Sequence, residues 1–583
     1  MTKNSQIASM ILGEVASSGV ARGPALVCAC AEHATGPRRV VSETEAQKEM
    51  EKLDAAISEV EMELLDLQKK VQQRVGKEEA AIFEAQILLL HDPSLREEIS
   101  TRCLIGKINI ETAVDEAIEK MASLFIQIED RYFRERAADV RDVGKRLLDN
   151  LTKSQSPGIP TLSGGSVIVT SELLPSVTAQ LDSQKIRGLV VEKGGQTAHA
   201  TILARALGIP LLIHVSDATK LIRTGDRLII DGLAGRVFIN PTSAILREYD
   251  QLEADLQAHK TDLQGLIKLP TVTRDGVAIK LCANIGKSAD AAAAATLNAD
   301  GIGLYRTEFA FFVQDHLPSE EEQYEIYRST ADRLKPREVV IRVLDIGSDK
   351  LLQYFPLPLE ANPSLGCRGI RLLLAYPEIL RTQLRAIFRL SATHPVSILF
   401  PMVGGMEELL AVKAAIESVK ASLAVEHQPF NPRVSIGAMI ETPSAAILIL
   451  RLAQEVDFLS IGTNDLVQYL LTADRTSSEV ASYYEPLHPA VLQVLASLAT
   501  AAKAKCKSIS VCGEMAGNPA YTKLLLGLGF RSLSVSPSEI LEIKNTIRST
   551  HLQQAEDFVR RILQLDTIQE IKQYLRDEKD PMY

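Results

Sequence analysis

Residues 434–465, VSIGAMIETPSAAILILRLAQEVDFLSIGTND, hold two short apolar runs, VSIGAMIET and DFLSIGTND, with a helical stretch between them. A strand, a helix and a second strand make a βαβ unit with parallel strands. Both runs end in polar groups, Glu441 in the first and Asn464 with Asp465 in the second. Outward from this unit the same alternation recurs from residue 276 onward. The strand candidates, in order, are VAIKLCANI, ADGIGLYRT, EVVIRVLDI, SILFPMV, VSIGAMIET, DFLSIGTND, KSISVCGEM and FRSLSVSP. Eight such units predict a (β/α)₈ TIM barrel, whose active site lies at the carboxyl ends of its strands. Polar residues fall there: Arg306, Arg342 with Asp345, Glu441, Asn464 with Asp465, and Cys512 with Glu514. Any one of them alone reads as a salt bridge or a cap. Their recurrence at successive strand ends points to an anion-and-metal site.

Upstream the texture differs twice. From Ser42 to Gln68 the chain has no Gly or Pro, and its apolar residues recur three and four apart, which predicts an amphipathic helix with a charged outer face. A second helix runs through EEAAIFEAQILLL, breaks at His91-Asp92-Pro93, and at least two more follow as far as Leu151. Near Pro157 short β-branched runs begin, separated by Gly, Pro and Ser: GGSVIVTSELLP, RGLVVE, IPLLIHV, RLIID and RVFIN, with Gly232-Leu-Ala-Gly235 closing a hairpin. The strand candidate GPALVCAC lies ahead of the helical segment, so the helices read as an insertion into a small β-rich domain. The expected organisation is residues 1–32 and 151–240 for that domain, 33–150 for the inserted helices, 241–270 for a helical connector and 271–583 for the barrel.

Composition bounds the function. At ~150 residues per domain, 583 residues suggest about four domains, or three if one is a barrel. Lys+Arg 64 against Asp+Glu 74 gives a net charge of −10, so bulk charge does not draw this chain to nucleic acid. Seven cysteines with no C-x-x-C spacing suggest neither zinc nor a disulfide framework. Neither a secretory signal nor a run of ~20 apolar residues is evident, which predicts a cytoplasmic protein without membrane insertion.

After the strand GLVVE comes Lys193-Gly-Gly-Gln-Thr-Ala-His-Ala-Thr-Ile-Leu-Ala-Arg205. The two glycines allow a tight turn, and ATILARAL starts a helix. His199 falls in the first turn, where free N–H groups and the helix dipole favour a phosphoryl group. A neutral imidazole, with a pKa of ~6.5, is a competent nucleophile. On these facts alone a packing or capping histidine is an equal reading. GGQTAHATILAR, however, resembles the phosphohistidine signature of the phosphoenolpyruvate-utilising enzymes. The barrel adds GIGLYRTEF, RVLDIGSDK, NPSLGCRGIR, IETPSA, DFLSIGTNDLVQYLLTADR and VCGEMAG in order. Together these resemble the enzyme I family of the phosphoenolpyruvate:sugar phosphotransferase system.

The resemblance implies a multidomain α/β protein: a swivelling phosphohistidine domain, an inserted helical bundle that binds the histidine phosphocarrier protein HPr, and a phosphoenolpyruvate-binding barrel that dimerises. It implies transfer of phosphate from phosphoenolpyruvate to His199 at Nε2, release of pyruvate, and passage to HPr. By the same resemblance Arg306 and Arg342 hold the phosphate, and Arg475, Asn464 and Asp465 bind substrate. Glu441 and Asp465 hold Mg²⁺, and Cys512 is the proton donor. Cys28, Cys30, Cys103, Cys282, Cys367 and Cys506 read as packing residues. Gln196 and Ala198 stand where many relatives have Arg and Ser, Ser348 where Gly is common, and Cys367 where Trp is common. Two rivals are a pyruvate phosphate dikinase or phosphoenolpyruvate synthase, which needs an ATP-binding domain not evident here, and a regulatory scaffold with a relic site.

Overall fold

The computed structural model describes residues 9–28, 38–74, 77–127, 131–152, 165–172, 186–194, 199–312, 314, 316–348, 352, 354–358, 360–475, 477 and 479–577. The chain divides into two compact units, Met1–Leu256 and Gln257–Tyr583. The division falls inside the helix Ser243–Gly265, within the stretch expected to be a connector.

The first unit is built on an eight-stranded mixed sheet. Its strands are β1 (Ser9–Leu12), β2 (Glu14–Ser17), β3 (Val20–Cys28), β4 (Ser166–Glu172), β5 (Ile186–Lys193), β6 (Leu211–Ile213), β7 (Arg227–Asp231) and β8 (Arg236–Ile239), in spatial order β1-β8-β7-β3-β4-β5-β6-β2. β3 and β4 pair in parallel, Ala25 opposite Val167 and Cys28 opposite Thr170. The chain therefore leaves the sheet after β3 and rejoins it beside the same strand. Val167 and Val169 of β4 bury on one face of the sheet and Ile168 on the other. Both faces are covered, and that is why these strands read as continuous apolar runs. The GLAG segment joins β7 to β8, with Asp231 opposite Arg236. β1 and β2, which the sequence did not disclose, are four-residue strands at the two edges of the sheet.

Between β3 and β4 lie α1 (Glu43–Arg74), α2 (Lys77–Leu90), α3 (Pro93–Ser100), α4 (Ile110–Gln127) and α5 (Arg131–Leu151). α1 runs longer than the expected 42–68. Its Leu53, Ala56, Val60, Leu64, Leu67 and Val71, three and four apart, are all buried in a core that draws on the other helices. Burying a side chain of this size contributes about 1.5–3 kcal/mol, so this stripe decides the face of the helix. The break at His91-Asp92-Pro93 is a restart. Asp92 Oδ1 accepts from the Ser94 N–H at 2.7 Å, and Pro93 takes the first helical position.

The second unit contains the barrel. β9 (Lys280–Ile285), β10 (Ile302–Arg306), β11 (Val339–Arg342), β12 (Val396–Phe400), β13 (Ser435–Ile440), β14 (Phe458–Ile461), β15 (Ser508–Val511) and β16 (Ser532–Val535) pair in parallel in sequence order, and β16 closes on β9. Each coincides with one of the eight strand candidates. Leu304, Val340, Leu399, Met439 and Cys512 form a small apolar cluster of their own. Each unit has its own hydrophobic clusters of described residues.

Candidate active site

In the first unit His199 is the first residue of the helix His199–Ala206, which follows β5 as expected. This helix is fixed on two sides. Leu203 packs into the core of the inserted helices, whereas Ala204 packs against the sheet. The Arg205 guanidinium donates to the Ala16 carbonyl through Nε at 3.1 Å and Nη2 at 2.8 Å, tying the helix to β2. Gln196 and Ala198 lie outside the described residues. In the same unit, Tyr249 of the helix Ser243–Gly265 donates to Asp231 Oδ2 at 2.6 Å, and Arg22 pairs with Asp250 and Glu253.

In the second unit a cavity of about 550 Å³ opens among the carboxyl ends of the barrel strands. Arg306, Arg342, Glu441, Asn464, Asp465, Arg475 and Cys512 all line it. Local sequence sets Glu441, Asp465 and the turn after Cys512. β13 ends at Ile440 and the chain turns at once, because Thr442 caps the next helix through Ala445 N–H at 3.2 Å with Pro443 at its first position. Glu441 is thereby left at the barrel mouth. Asp465 lies in the first turn of the helix Thr463–Leu471 that follows β14. A Cβ at Gly513 would overlap the Thr463 hydroxyl, so the turn after Cys512 admits glycine alone without a shift.

The charges form a chain across the cavity. Arg342 donates to Glu308 Oε1 at 2.8 Å and pairs with Asp345 Oδ2 at 3.2 Å. Arg368 binds both oxygens of Asp345, at 3.2 and 2.9 Å, and reaches Asp465 Oδ2 at 3.5 Å. Burial works against the Arg342 and Arg368 guanidinium charges, but the facing carboxylates outweigh it and hold both pKa values above the usual arginine value. Arg475 stands 3.8 Å from Asp465 Oδ1, beyond hydrogen-bond reach, and that buried oxygen has no hydrogen-bond partner. Burial, then Asp465 and Asp345, push the Glu441 carboxyl well above the ordinary carboxylate range.

These features fit a divalent cation. Glu441 and Asp465 are both buried, each disfavours charge on the other, and one Asp465 oxygen is orphaned. Among the described residues no group of three or more His, Cys, Asp or Glu is arranged as a cage. Glu441 and Asp465 could hold an ion whose remaining ligands are substrate and water, the manner of Mg²⁺.

Asn464 and Glu514 hold each other reciprocally. The Asn464 amide donates to Glu514 Oε1 at 2.8 Å, and the Glu514 N–H donates to Asn464 Oδ1 at 2.8 Å. Cys512 is 5% exposed, and burial pushes its thiol up to about 11 against the weaker opposing pull of Ser460. The site therefore presents a protonated thiol rather than a reactive thiolate. Of the cysteines read as packing residues, Cys103 and Cys282 are buried, but Cys506 is exposed, so packing does not account for it. Cys30 lies outside the described residues.

Arg368, Glu308 and Asn284 line the cavity without having been singled out from sequence. Arg368 lies in the quoted NPSLGCRGIR and Glu308 in GIGLYRTEF. Asn284 near the end of VAIKLCANI repeats the polar strand-end signal and was findable by it. Its amide donates to the carbonyls of Cys512 and Ser534, both at 2.9 Å, and so staples β9 to the ends of β15 and β16.

Comparison with known proteins adds three matched regions. The PEP-utilising enzyme, N-terminal family model matches residues 13–136, the mobile-domain model 162–235 and the PEP-binding-domain model 260–552. The chain is 39% identical to the phosphoenolpyruvate-protein phosphotransferase of Haemophilus influenzae, over 97% of this chain and 99% of that one. It is 38% identical to that of Geobacillus stearothermophilus, over 97% of each. The solution structure of an Enzyme I protein (nEIt) aligns with 42% of this chain and 99% of its own, at 31% identity and a TM-score of 0.36. Among the described residues no helix is long and apolar enough to cross a membrane.

Proposed function

Because the chain belongs to the phosphoenolpyruvate-protein phosphotransferase family, we propose that His199 is the residue that accepts phosphate and Cys512 the acid that completes pyruvate. The chain transfers the phosphoryl group of phosphoenolpyruvate to protein, the first step of the phosphotransferase system. The observation that carries the residue assignment is the convergence of Arg306, Arg342, Glu441, Asn464, Asp465, Arg475 and Cys512 on one cavity at the barrel mouth.

Arg306 and Arg342 bind the phosphoryl oxygens, where planar guanidinium donors pair bidentately. Arg475 and Asn464 orient the remainder of the substrate. Mg²⁺, held by Glu441 and Asp465, supplies further charge neutralisation at the phosphoryl oxygens when bound. His199 Nε2 attacks phosphorus in line, forming the P–N bond as the bond to the enol oxygen breaks. Cys512 then protonates the methylene carbon of the enolate, and pyruvate leaves. The apolar cluster of Leu304, Met439 and Cys512 beside the cavity suits that methylene.

His199 next passes its phosphate to the carrier HPr, docked on the inserted helices of residues 33–150. The domain of residues 1–32 and 151–240 swivels on the connector 241–270 to reach it, because one histidine cannot face two partners without moving. The barrel of residues 271–583 carries a homodimer interface, and the relay operates in the cytoplasm. Phosphoenolpyruvate radiolabelled at phosphorus tests the assignment. Acid-labile label on His199, lost in a folded His199→Ala chain, is the expected outcome. Label retained in that variant removes His199 as the acceptor.

A further inference from the structure

The reaction needs a thiol that is held in place and tolerates the charge left behind. Around Cys512 the barrel holds a short chain of hydroxyls. Ser510 Oγ donates to Ser460 Oγ at 3.1 Å, and Ser460 Oγ donates to Cys512 Sγ at 3.1 Å. Cys512 Sγ in turn donates to the Ile461 carbonyl at 3.3 Å. Ser460 and Ser510 are register partners on β14 and β15, and Cys512 lies two residues beyond Ser510 on the same face. Ser460 is 1% exposed.

A hydroxyl carries one hydrogen. Ser510 supplies the hydrogen of the first bond, which leaves that of Ser460 for the sulfur. Ser460 supplies the hydrogen at sulfur, so the thiol proton is directed away from it, toward Ile461 O beside the cavity-lining Gly462. We propose that Ser460, itself oriented by Ser510, is a positioning residue for the proton transfer, holding the sulfur in place and binding the thiolate that remains. The proposal rests on the reading of Cys512 as the acid.

In the step itself the S–H bond breaks and its electron pair stays on sulfur. The enolate pair forms the new C–H bond at the methylene carbon, and nothing is oxidised. After pyruvate leaves, the thiolate regains a proton from water. The O–H···S bond becomes charge-assisted when sulfur is anionic and is then roughly twice as strong as its neutral form. Ser460 therefore stabilises the state after transfer more than the state before it, which is the requirement for acceleration. Glu441 opposes a thiolate at this position, while Arg342 and Arg306 favour it through space. Ser460 acts at contact distance.

The test uses the full chain with Mg²⁺, as Ser460→Ala, Ser510→Ala and Cys512→Ala. Three quantities are read: exchange of pyruvate methyl hydrogens in deuterated water, label transfer from phosphoenolpyruvate to His199 in a single turnover, and the pH profile of Cys512 alkylation by iodoacetamide. Ser460→Ala is expected to slow exchange roughly 10- to 100-fold, as for a lost hydrogen bond to a charged group. Alkylation should move to higher pH while label transfer is unchanged. Ser510→Ala should act in the same direction by a smaller factor. Exchange and alkylation unchanged in Ser460→Ala, with exchange lost in Cys512→Ala, overturn the proposal and leave Cys512 as the acid. Exchange surviving in Cys512→Ala removes the acid itself, and the proposal with it. Joint loss of label and exchange in Ser460→Ala makes Ser460 a structural residue and also overturns it. If Ser460→Ala does not fold, Ser510→Ala decides: slowed exchange supports the relay, and unchanged exchange overturns it.

Discussion

Arg368 grips both carboxylate oxygens of Asp345, Nε on Oδ1 at 3.2 Å and Nη2 on Oδ2 at 2.9 Å, with the two side chains only 11% and 2% exposed. The same Nη2 reaches Asp465 Oδ2 at 3.5 Å, so one guanidinium holds a neighbour of Arg342 and a candidate metal ligand together.

Removing that guanidinium takes a buried cationic partner from both Asp345 and Asp465. Arg368→Ala is expected to cost about 3–5 kcal/mol, the usual penalty for breaking a buried pair. Arg368→Lys keeps the charge but not the fork, so it should cost less and still raise the KM for phosphoenolpyruvate. Urea denaturation of the full chain, followed by a probe in the barrel, measures the first quantity, and steady-state kinetics the second.

As proposed metal ligands, Glu441 and Asp465 are expected to separate the two half-reactions. Glu441→Ala or Asp465→Ala should abolish Mg²⁺-dependent transfer from phosphoenolpyruvate, while His199 still accepts phosphate from a phosphorylated carrier. Mg²⁺ at 100 times its Kd should stabilise the wild-type barrel by about 2.7 kcal/mol and do nothing for either variant. Because the Glu441 carboxyl is raised, protons compete with the ion, and affinity should weaken as pH falls. Thermal melts with and without Mg²⁺ across pH read both effects.

Cys512→Ala should slow pyruvate formation by roughly 10²–10⁴-fold, the worth of a positioned acid. With its pKa raised to about 11, the thiol stays protonated below that value and loses its proton as pH rises through it. An ordinary thiol, at ~8.5, would already be losing its acid form one to two units above neutrality. The kcat profile should therefore show no thiol limb until strongly alkaline pH, and unaltered turnover in Cys512→Ala would return the residue to packing.

The two units have separate cores, so a fragment of residues 1–260 is expected to fold alone. It should take phosphate from a phosphorylated carrier onto His199 yet ignore phosphoenolpyruvate, because every proposed substrate arginine and metal ligand lies after it. Circular dichroism and phosphate transfer to the fragment check both statements. A folded fragment that accepts nothing means the inserted helices are an insufficient docking site.

The sequence by itself determined the eight barrel strands, their order, the helical insertion and the residues at the strand ends. Each of those signals is local: an apolar run of strand length, a helical period, a polar residue where a strand gives way to a turn. Arg306, Glu441, Asp465 and Cys512 were legible because strand ends in a closed parallel barrel converge on one mouth whatever the loops do. Tertiary structure alone decided what depends on register and distant pairing. Nothing near Ser460 announces that it will face Ser510 and touch the sulfur of Cys512, because those residues meet only when β14 and β15 pair in one register. The fork of Arg368 on Asp345 spans 23 positions of chain, and the Asn284 staple on Cys512 spans 228. The edge strands β1 and β2 escaped for the same reason: each is four residues long, with its partners more than 190 positions away in β8 and β6. A short segment of this kind becomes a strand only when the rest of the sheet is present to bond it.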